Sequence, residues 1–197
     1  MQIIQQKGGV TLLYLSDHQV RQVRMDVPHS DHPTLTWQGE SVGHYEGDTL
    51  VIDTIGQKVG PLSMVDRFGT PFSAALHVIE RYRLINGATA RDLQLKHEST
   101  YFGAGRSSPP NNPYGRGDID PDATKPGLQV EITVDDPAVF TTPWSGLVTY
   151  RHVEGEWPEA VCAENRTGSG TSSVATSVSS TCIFSSCLVP EADRADF

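Results

Sequence analysis

Cysteine is scarce in this chain: Cys162, Cys182 and Cys187 are the only three in 197 residues. They lie late and show no CxxC spacing. Their odd number argues against a disulfide framework, and a thiolate metal site needs more ligands close by. Long apolar runs are missing as well. No stretch of roughly 18 apolar residues occurs, which excludes a transmembrane helix. The opening Met1-Gln2-Ile3-Ile4-Gln5-Gln6 has neither a basic n-region nor an apolar h-region, so no signal peptide is expected. Positive charge is short. Fifteen Lys and Arg face 24 Asp and Glu, a formal net charge of −9. That balance argues against nucleic acid as a partner and favours a neutral or cationic small molecule over a polyanion.

Two further absences narrow the chemistry. There is no GxSxG nucleophile signature. There is no glycine-rich phosphate or dinucleotide loop either: Gly103-Ala104-Gly105 runs into Pro109-Pro110 and not into a helix. No cofactor is therefore expected. Helical periodicity is also poor, since no segment sustains apolar residues at i, i+3, i+4 and i+7.

What the chain has is alternation. Val10 to Leu15 and Gln19 to Met25 read as paired strands around a turn at Ser16-Asp17-His18. Asp26 to Thr36, with Pro28 and Pro33, reads as a loop. Trp37 to Tyr45 and Thr49 to Thr54 read as a hairpin around Glu46-Gly47-Asp48. Gly56 to Ser73 is irregular. Ala75 to Leu84 is a strand, and Asn86-Gly87 is a strong hairpin signal, which predicts a returning strand over Asp92 to Phe102. Leu128 to Val134 alternates cleanly, and a last strand is expected from Ser145 to Val153. Seven or eight such strands predict a mostly β fold, an antiparallel calycin- or lipocalin-like barrel with a β-sandwich as the alternative. The predicted domain covers 1–166, with an irregular insertion at 103–127. A Ser/Thr-rich tail at 167–197 is too poor in apolar residues to build a core.

The strand from Ala75 to Leu84 carries the sharpest functional signal. One face reads Leu76, Val78, Glu80, Tyr82 and Leu84, so a lone carboxylate stands among apolar residues. Burying a charge without a partner is costly. If four residues close the Asn86-Gly87 turn, Glu80 falls opposite His97 of the returning strand or one pair away on the same face; a two-residue turn places His97 near Leu76 instead. That pair suits acid–base catalysis; the other outcome is a structural Glu–His or Glu–Arg pair. If the barrel interior is instead the polar face, the site becomes His77, Arg81 and Asp53, with Arg81 offering a planar donor fork to an anionic group; the other outcome is a solvated outer face. Trp37, Tyr45 and Trp144, at strand ends or in loops, and Tyr14 in the first strand are candidates for stacking on a substrate. The His29-Ser30-Asp31-His32 cluster supplies the alternative of a metal site through His29, Asp31 and His32, completed by His44 or His152.

Four stretches resemble a family of uncharacterised exported β-domain proteins of soil bacteria. They are Glu46-Gly47-Asp48-Thr49-Leu50-Val51-Ile52-Asp53-Thr54, Leu76-His77-Val78-Ile79-Glu80-Arg81, Asp136-Pro137-Ala138-Val139-Phe140-Thr141-Thr142-Pro143-Trp144 and Cys162-Ala163-Glu164-Asn165. The family's counterparts look like EGDTLVVDT, LHVxER, DPxxYTxPW and CNEN, and the resemblance spans Leu12 to Asn165. It implies a periplasmic or secreted setting and a compact β domain, and it brings no established reaction. This chain departs in lacking an export signal, which suggests truncation at its N-terminus, and in the 103–127 insertion where the family runs straight through.

The expected function is a small cofactor-free hydrolase acting on a neutral ester, lactone or glycosidic bond. Glu80, His97, His77 and Asp53 are its catalytic candidates; Arg81, Tyr45, Trp37, Trp144 and Tyr14 are its substrate-binding ones. The alternatives are a non-catalytic extracytoplasmic binding protein and a metal-assisted hydrolase.

Overall fold

The structure is a computed structural model that describes residues 1–14, 19–66, 68–102 and 123–152, without the side chains of 97–102. Eight strands follow one another in a single sheet: β1 (Gln2–Gln6), β2 (Gly9–Leu13), β3 (Val20–Met25), β4 (Glu40–Glu46), β5 (Thr49–Ile55), β6 (His77–Ile85), β7 (Gly127–Asp135) and β8 (Trp144–Arg151). Spatial order equals chain order, and the sheet curls into a half-barrel. The expectation of a mostly β, barrel-like fold is met. Six of the seven neighbouring pairs are antiparallel; β3 and β4 run parallel, joined by the loop after Met25. β1 lies in a segment where the residue pattern predicts no strand. It pairs with β2 across the Lys7-Gly8 turn, in the register Gln6↔Gly9.

The local reasons are ordinary ones. β4 and β5 form the expected hairpin, with Glu46 opposite Thr49 and Gly47 at φ +63°, a conformation glycine adopts without a Cβ penalty. Alternation sends Val10, Leu12, Val23, Leu50, Ile52, Val78, Val130, Ile132 and Val134 to the inner face, where they form one buried core. Val65, Phe72 and Leu76, from the segment between β5 and β6, close over it. The outer face is not bare, since Val42 and Val51 are also buried there.

One expected element is overturned. Asn86-Gly87 does not turn a hairpin; it opens α1 (Gly87–Phe102), so the predicted returning strand is a helix. The side-chain Oδ1 of Asn86 accepts the N–H of Ala88 at 2.8 Å, and its carbonyl accepts the N–H of Ala90 at 2.9 Å. Asn86 is thus an N-cap, one of the residue types best suited to that position. Ala88, Ala90, Arg91, Leu93, Gln94, Leu95 and Lys96 are good helix formers. Their intrinsic preference outweighs an apparent alternation of Leu93, Leu95 and His97. The helix packs against β7 and β8. Ala90 is fully buried at that contact, and a Cβ on Gly127 would collide with its methyl group. The true antiparallel neighbour of β6 on that side is β7. Of the predicted insertion only 123–127 is described, and the predicted tail lies outside the described residues.

The curl brings distant strands together across the inner face. Three strand spacings amount to roughly 14 Å in a flat sheet. Yet Arg21 of β3 forms an ion pair with Glu80 of β6, and Gln5 of β1 donates to the Tyr45 hydroxyl of β4 at 2.8 Å. Removing only one member of a buried ion pair leaves an uncompensated charge. Arg21→Met is therefore expected to lose about 3–5 kcal/mol of unfolding free energy, and the double variant Arg21→Met/Glu80→Leu to recover most of it. Urea denaturation of both variants checks this; a single variant as stable as the wild type would refute it.

Candidate acid–base site on the outer face

The register places Glu40, Asp53 and His77 on the outer face near one end of the sheet. Asp53 sits opposite Val42 and Ile79, so Glu40 and His77 are its diagonal neighbours on the two flanking strands. The loop between β3 and β4 then lays His29 across them. Its Nδ1 lies 3.1 Å from Glu40 Oε1 and its Nε2 lies 2.9 Å from Asp53 Oδ1. The same Asp53 oxygen is 2.8 Å from His77 Nε2. The result is an unbroken chain, Glu40–His29–Asp53–His77.

Each member has a definite electrostatic setting. Glu40 accepts the backbone N–H and the hydroxyl of Ser30, both at 2.7 Å, and Arg24 stands at 3.0 Å. These Ser30 bonds, against a smaller opposing effect of burial and with help from His29 and Arg24, hold its carboxyl down at about 2. His29 faces a carboxylate with each ring nitrogen, and only the doubly protonated ring can donate to both. An ionised carboxylate only accepts, so a neutral His77 ring that donates to Asp53 from Nε2 keeps its Nδ1 lone pair. With 37% of its side chain exposed against 21% for His29, His77 is the end of the chain that meets solvent. A carboxylate that orients an imidazole and leaves its second nitrogen free is a general-base arrangement.

The inner face holds a second polar cluster with a different character. Glu80 is engaged at both oxygens, Oε2 with Arg21 and Oε1 with the Tyr82 hydroxyl, which donates at 2.9 Å. It sits opposite Ile52 and Ile132. The strand pairing that was expected to set Glu80 opposite His97 is replaced by α1, to which position 97 belongs; the His97 side chain lies outside the described residues. Tyr14 faces this cluster. Burial, reinforced by Glu80 and opposed by Arg21, pushes its hydroxyl up to about 12. Burial likewise raises Tyr82 well above its ordinary value. This network neutralises charge inside the core.

The remaining candidates are spread over the molecule. Arg81 shares the outer face with His77, two positions beyond Ile79, and lies opposite Val51 and Glu131. Trp37 is half exposed, with the Lys58 ammonium 5.0 Å from its ring centre. Tyr45 is engaged by Gln5, and Trp144 packs edge-on against Phe140. The metal alternative is not assembled: His29 turns to Asp53 and Glu40, whereas Asp31 and His32 are exposed in the loop. His44 pairs with Glu46 and His152 lies beyond β8. Among the described residues no three His, Cys, Asp or Glu side chains are grouped to hold a metal ion.

Two partners escaped the sequence reasoning. Arg21 could have been found, because it alternates with Val23 and Met25 and so puts a cation on the same apolar face as the Glu80 anion. Glu40 carries no such signal, since its place beside His29 depends on the path of the loop. No family model matches the chain, and neither does a curated protein or a solved structure.

A depressed carboxyl adds stability above its unfolded value that disappears as pH falls through its folded one. For Glu40 that window runs from about 4.5 down to about 2. Hydrogen exchange of the 26–36 loop amides is expected to accelerate, relative to the rest of the sheet, as pH is lowered through it. Glu40→Gln is expected to remove that pH dependence; an unchanged profile in the variant would show that Glu40 does not hold the loop.

Proposed function

We propose that the protein is a small hydrolase whose base is His77, oriented by Asp53, with His29 and Glu40 completing the chain behind them. The substrate class is a neutral ester or lactone; a glycosidic bond suits a lone imidazole base less well. In the proposed step the Nδ1 of His77 removes a proton from water as the water oxygen bonds to the carbonyl carbon. The same proton then passes to the departing alkoxide as the carbon–oxygen bond breaks. Asp53 keeps the imidazole in the required tautomer and offsets the charge it gains. The step needs no cofactor. The observation that supports this reading is the shared Asp53 Oδ1, 2.8 Å from His77 and 2.9 Å from His29, at a partly exposed position. The resemblance to exported β-domain proteins supports an extracytoplasmic setting for it.

A second reading is a non-catalytic binding protein of the same setting. It is supported by Glu80, the most suggestive carboxylate in the sequence, being fully engaged as a structural anchor between Arg21 and Tyr82.

A panel of chromogenic esters, lactones and glycosides run on the wild type, His77→Gln and Asp53→Asn separates the two. Loss of a general base costs typically 10²–10⁴-fold, so turnover of at least one ester or lactone is expected to fall by about 100-fold or more in His77→Gln. Asp53→Asn is expected to lower the maximal rate more than the apparent affinity. Equal activity in wild type and variants, or none in any, would transfer the assignment to the binding protein.

A further inference from the structure

One end of the sheet gathers three connections. β4 begins there opposite the end of β5, β6 begins opposite the end of β7, and β8 begins beside it. The segments 33–39, 56–63 and 137–143 lie at that end. The first two form one unit. Thr36 and Gln57 make a bridge, the Lys58 N–H donates to the Thr36 carbonyl at 2.7 Å, and a Cβ on Gly60 would lie 3.0 Å from the Trp37 indole. The third is tied to the connection between β5 and β6 by buried Asp136, which accepts the Ser73 N–H and hydroxyl, both at 2.6 Å. From these segments Leu35, Trp37, Val59, Leu62 and Val139 stand between 38% and 58% exposed.

Three features set this end apart. It is almost uncharged: Lys58 is the sole charged side chain of the three segments, in a chain of net charge −9. Asp66, next along, is taken up by its own loop, where it accepts the N–H groups of Phe68 and Thr70 and the Thr70 hydroxyl. Many of its backbone donors are also consumed internally. Thr36 donates to the Gly56 carbonyl at 3.3 Å, Gly39 to that of Thr36 at 3.2 Å, and Ser63 to that of Gly60 at 3.1 Å. The Gly60 N–H donates to the Ser63 hydroxyl at 2.8 Å, and Val139 and Phe140 donate to the Asp136 carbonyl. Pro33, Pro61, Pro137 and Pro143 carry no N–H at all. Finally, the Lys58 ammonium lies 5.0 Å from the Trp37 ring centre.

Such a surface suits a lipid bilayer. An unsatisfied backbone group is costly in an apolar phase, so a loop enters one only with its donors engaged. A protein interface carries about one hydrogen bond per 100–200 Å², and this end offers few groups to make them. An indole with an ammonium beside it matches the headgroup region, where the ring meets the apolar boundary and the ammonium reaches the phosphates. The acidic remainder of the chain is repelled by an anionic surface, which selects a zwitterionic one.

We propose that the protein docks on zwitterionic bilayer surfaces through this end, with Leu35, Trp37, Val59, Leu62 and Val139 entering the interface. None of the five belongs to the Glu40–His29–Asp53–His77 chain, so this assignment and the hydrolase reading fail separately.

Flotation of the full chain with phosphatidylcholine vesicles tests the docking. The wild type is expected to float with them, equally at low and high salt, and less with vesicles that also contain phosphatidylserine. Leu35→Asp and Leu62→Asp are each expected to lower partition about tenfold. Leu147→Asp, at an exposed leucine on the outer face of β8, is expected to leave it unchanged, with circular dichroism confirming each fold. Brominated phosphatidylcholine is expected to quench the tryptophan emission of the wild type, and that of Trp37→Phe less; phenylalanine keeps the apolar bulk, so this readout is independent of the charged variants. A wild type that stays in the aqueous phase would overturn the proposal. So would an equal loss in Leu147→Asp and Leu35→Asp, or charged variants that float as the wild type does. A wild-type dimer that ignores vesicles and is dissociated by Leu62→Asp in sedimentation would overturn it too, and would assign the surface to a second copy of the chain.

Discussion

In a flat sheet Arg21 and Glu80 would stand three strands apart, beyond the reach of either side chain. Their contact requires the sheet to curl, and the curl in turn removes both from water. A buried charge of either sign alone is severely disfavoured, so each residue makes the position of the other tolerable. Tyr82 and Tyr14 occupy the space around the pair, and the aliphatic core fills the rest of the inner face. The interior is in this way committed to structure: the Glu80 carboxylate is engaged, and its neighbours in register are Ile52 and Ile132. Chemistry that needs a free basic atom and access to water has to be sought elsewhere.

The outer face supplies those conditions. The same alternation that turns Glu80 inward turns His77 outward, three residues earlier on β6. The parallel step from β3 to β4 demands a longer connection than a hairpin, and that connection is the segment that carries His29 over Asp53 and Glu40. The loop is held by the carboxylates it covers. Topology therefore supplies both the sheet residues of the candidate site and the segment that completes it.

Much of this architecture is legible in the residues. Strand alternation locates seven of the eight strands near their observed places, and the period of two along β6 alone puts Glu80 and His77 on opposite faces. His77 and Arg81 share a face by alternation and the register adds Asp53 to it, but that face is the outer one and not the barrel interior, which the apolar residues fill. Local signals fail where two structures share one signal. Asn-Gly is a hairpin turn when a strand follows and a helix N-cap when helix formers follow, and the short alternation at Leu93, Leu95 and His97 masks the propensity of the segment around it. β1 is short and mostly exposed, with little apolar alternation, so only its pairing with β2 reveals it.

The sequence by itself determined the β character of the chain, its acidic charge balance and the inward direction of Glu80. These follow from composition and from the strict period of two along a strand, which are local properties. Only the tertiary structure decided that Glu80 meets Arg21, and that His29 joins Asp53 and Glu40. Those contacts join residues 59, 24 and 11 positions apart. They depend on sheet curvature and on the path of one loop, which no local pattern of residues encodes.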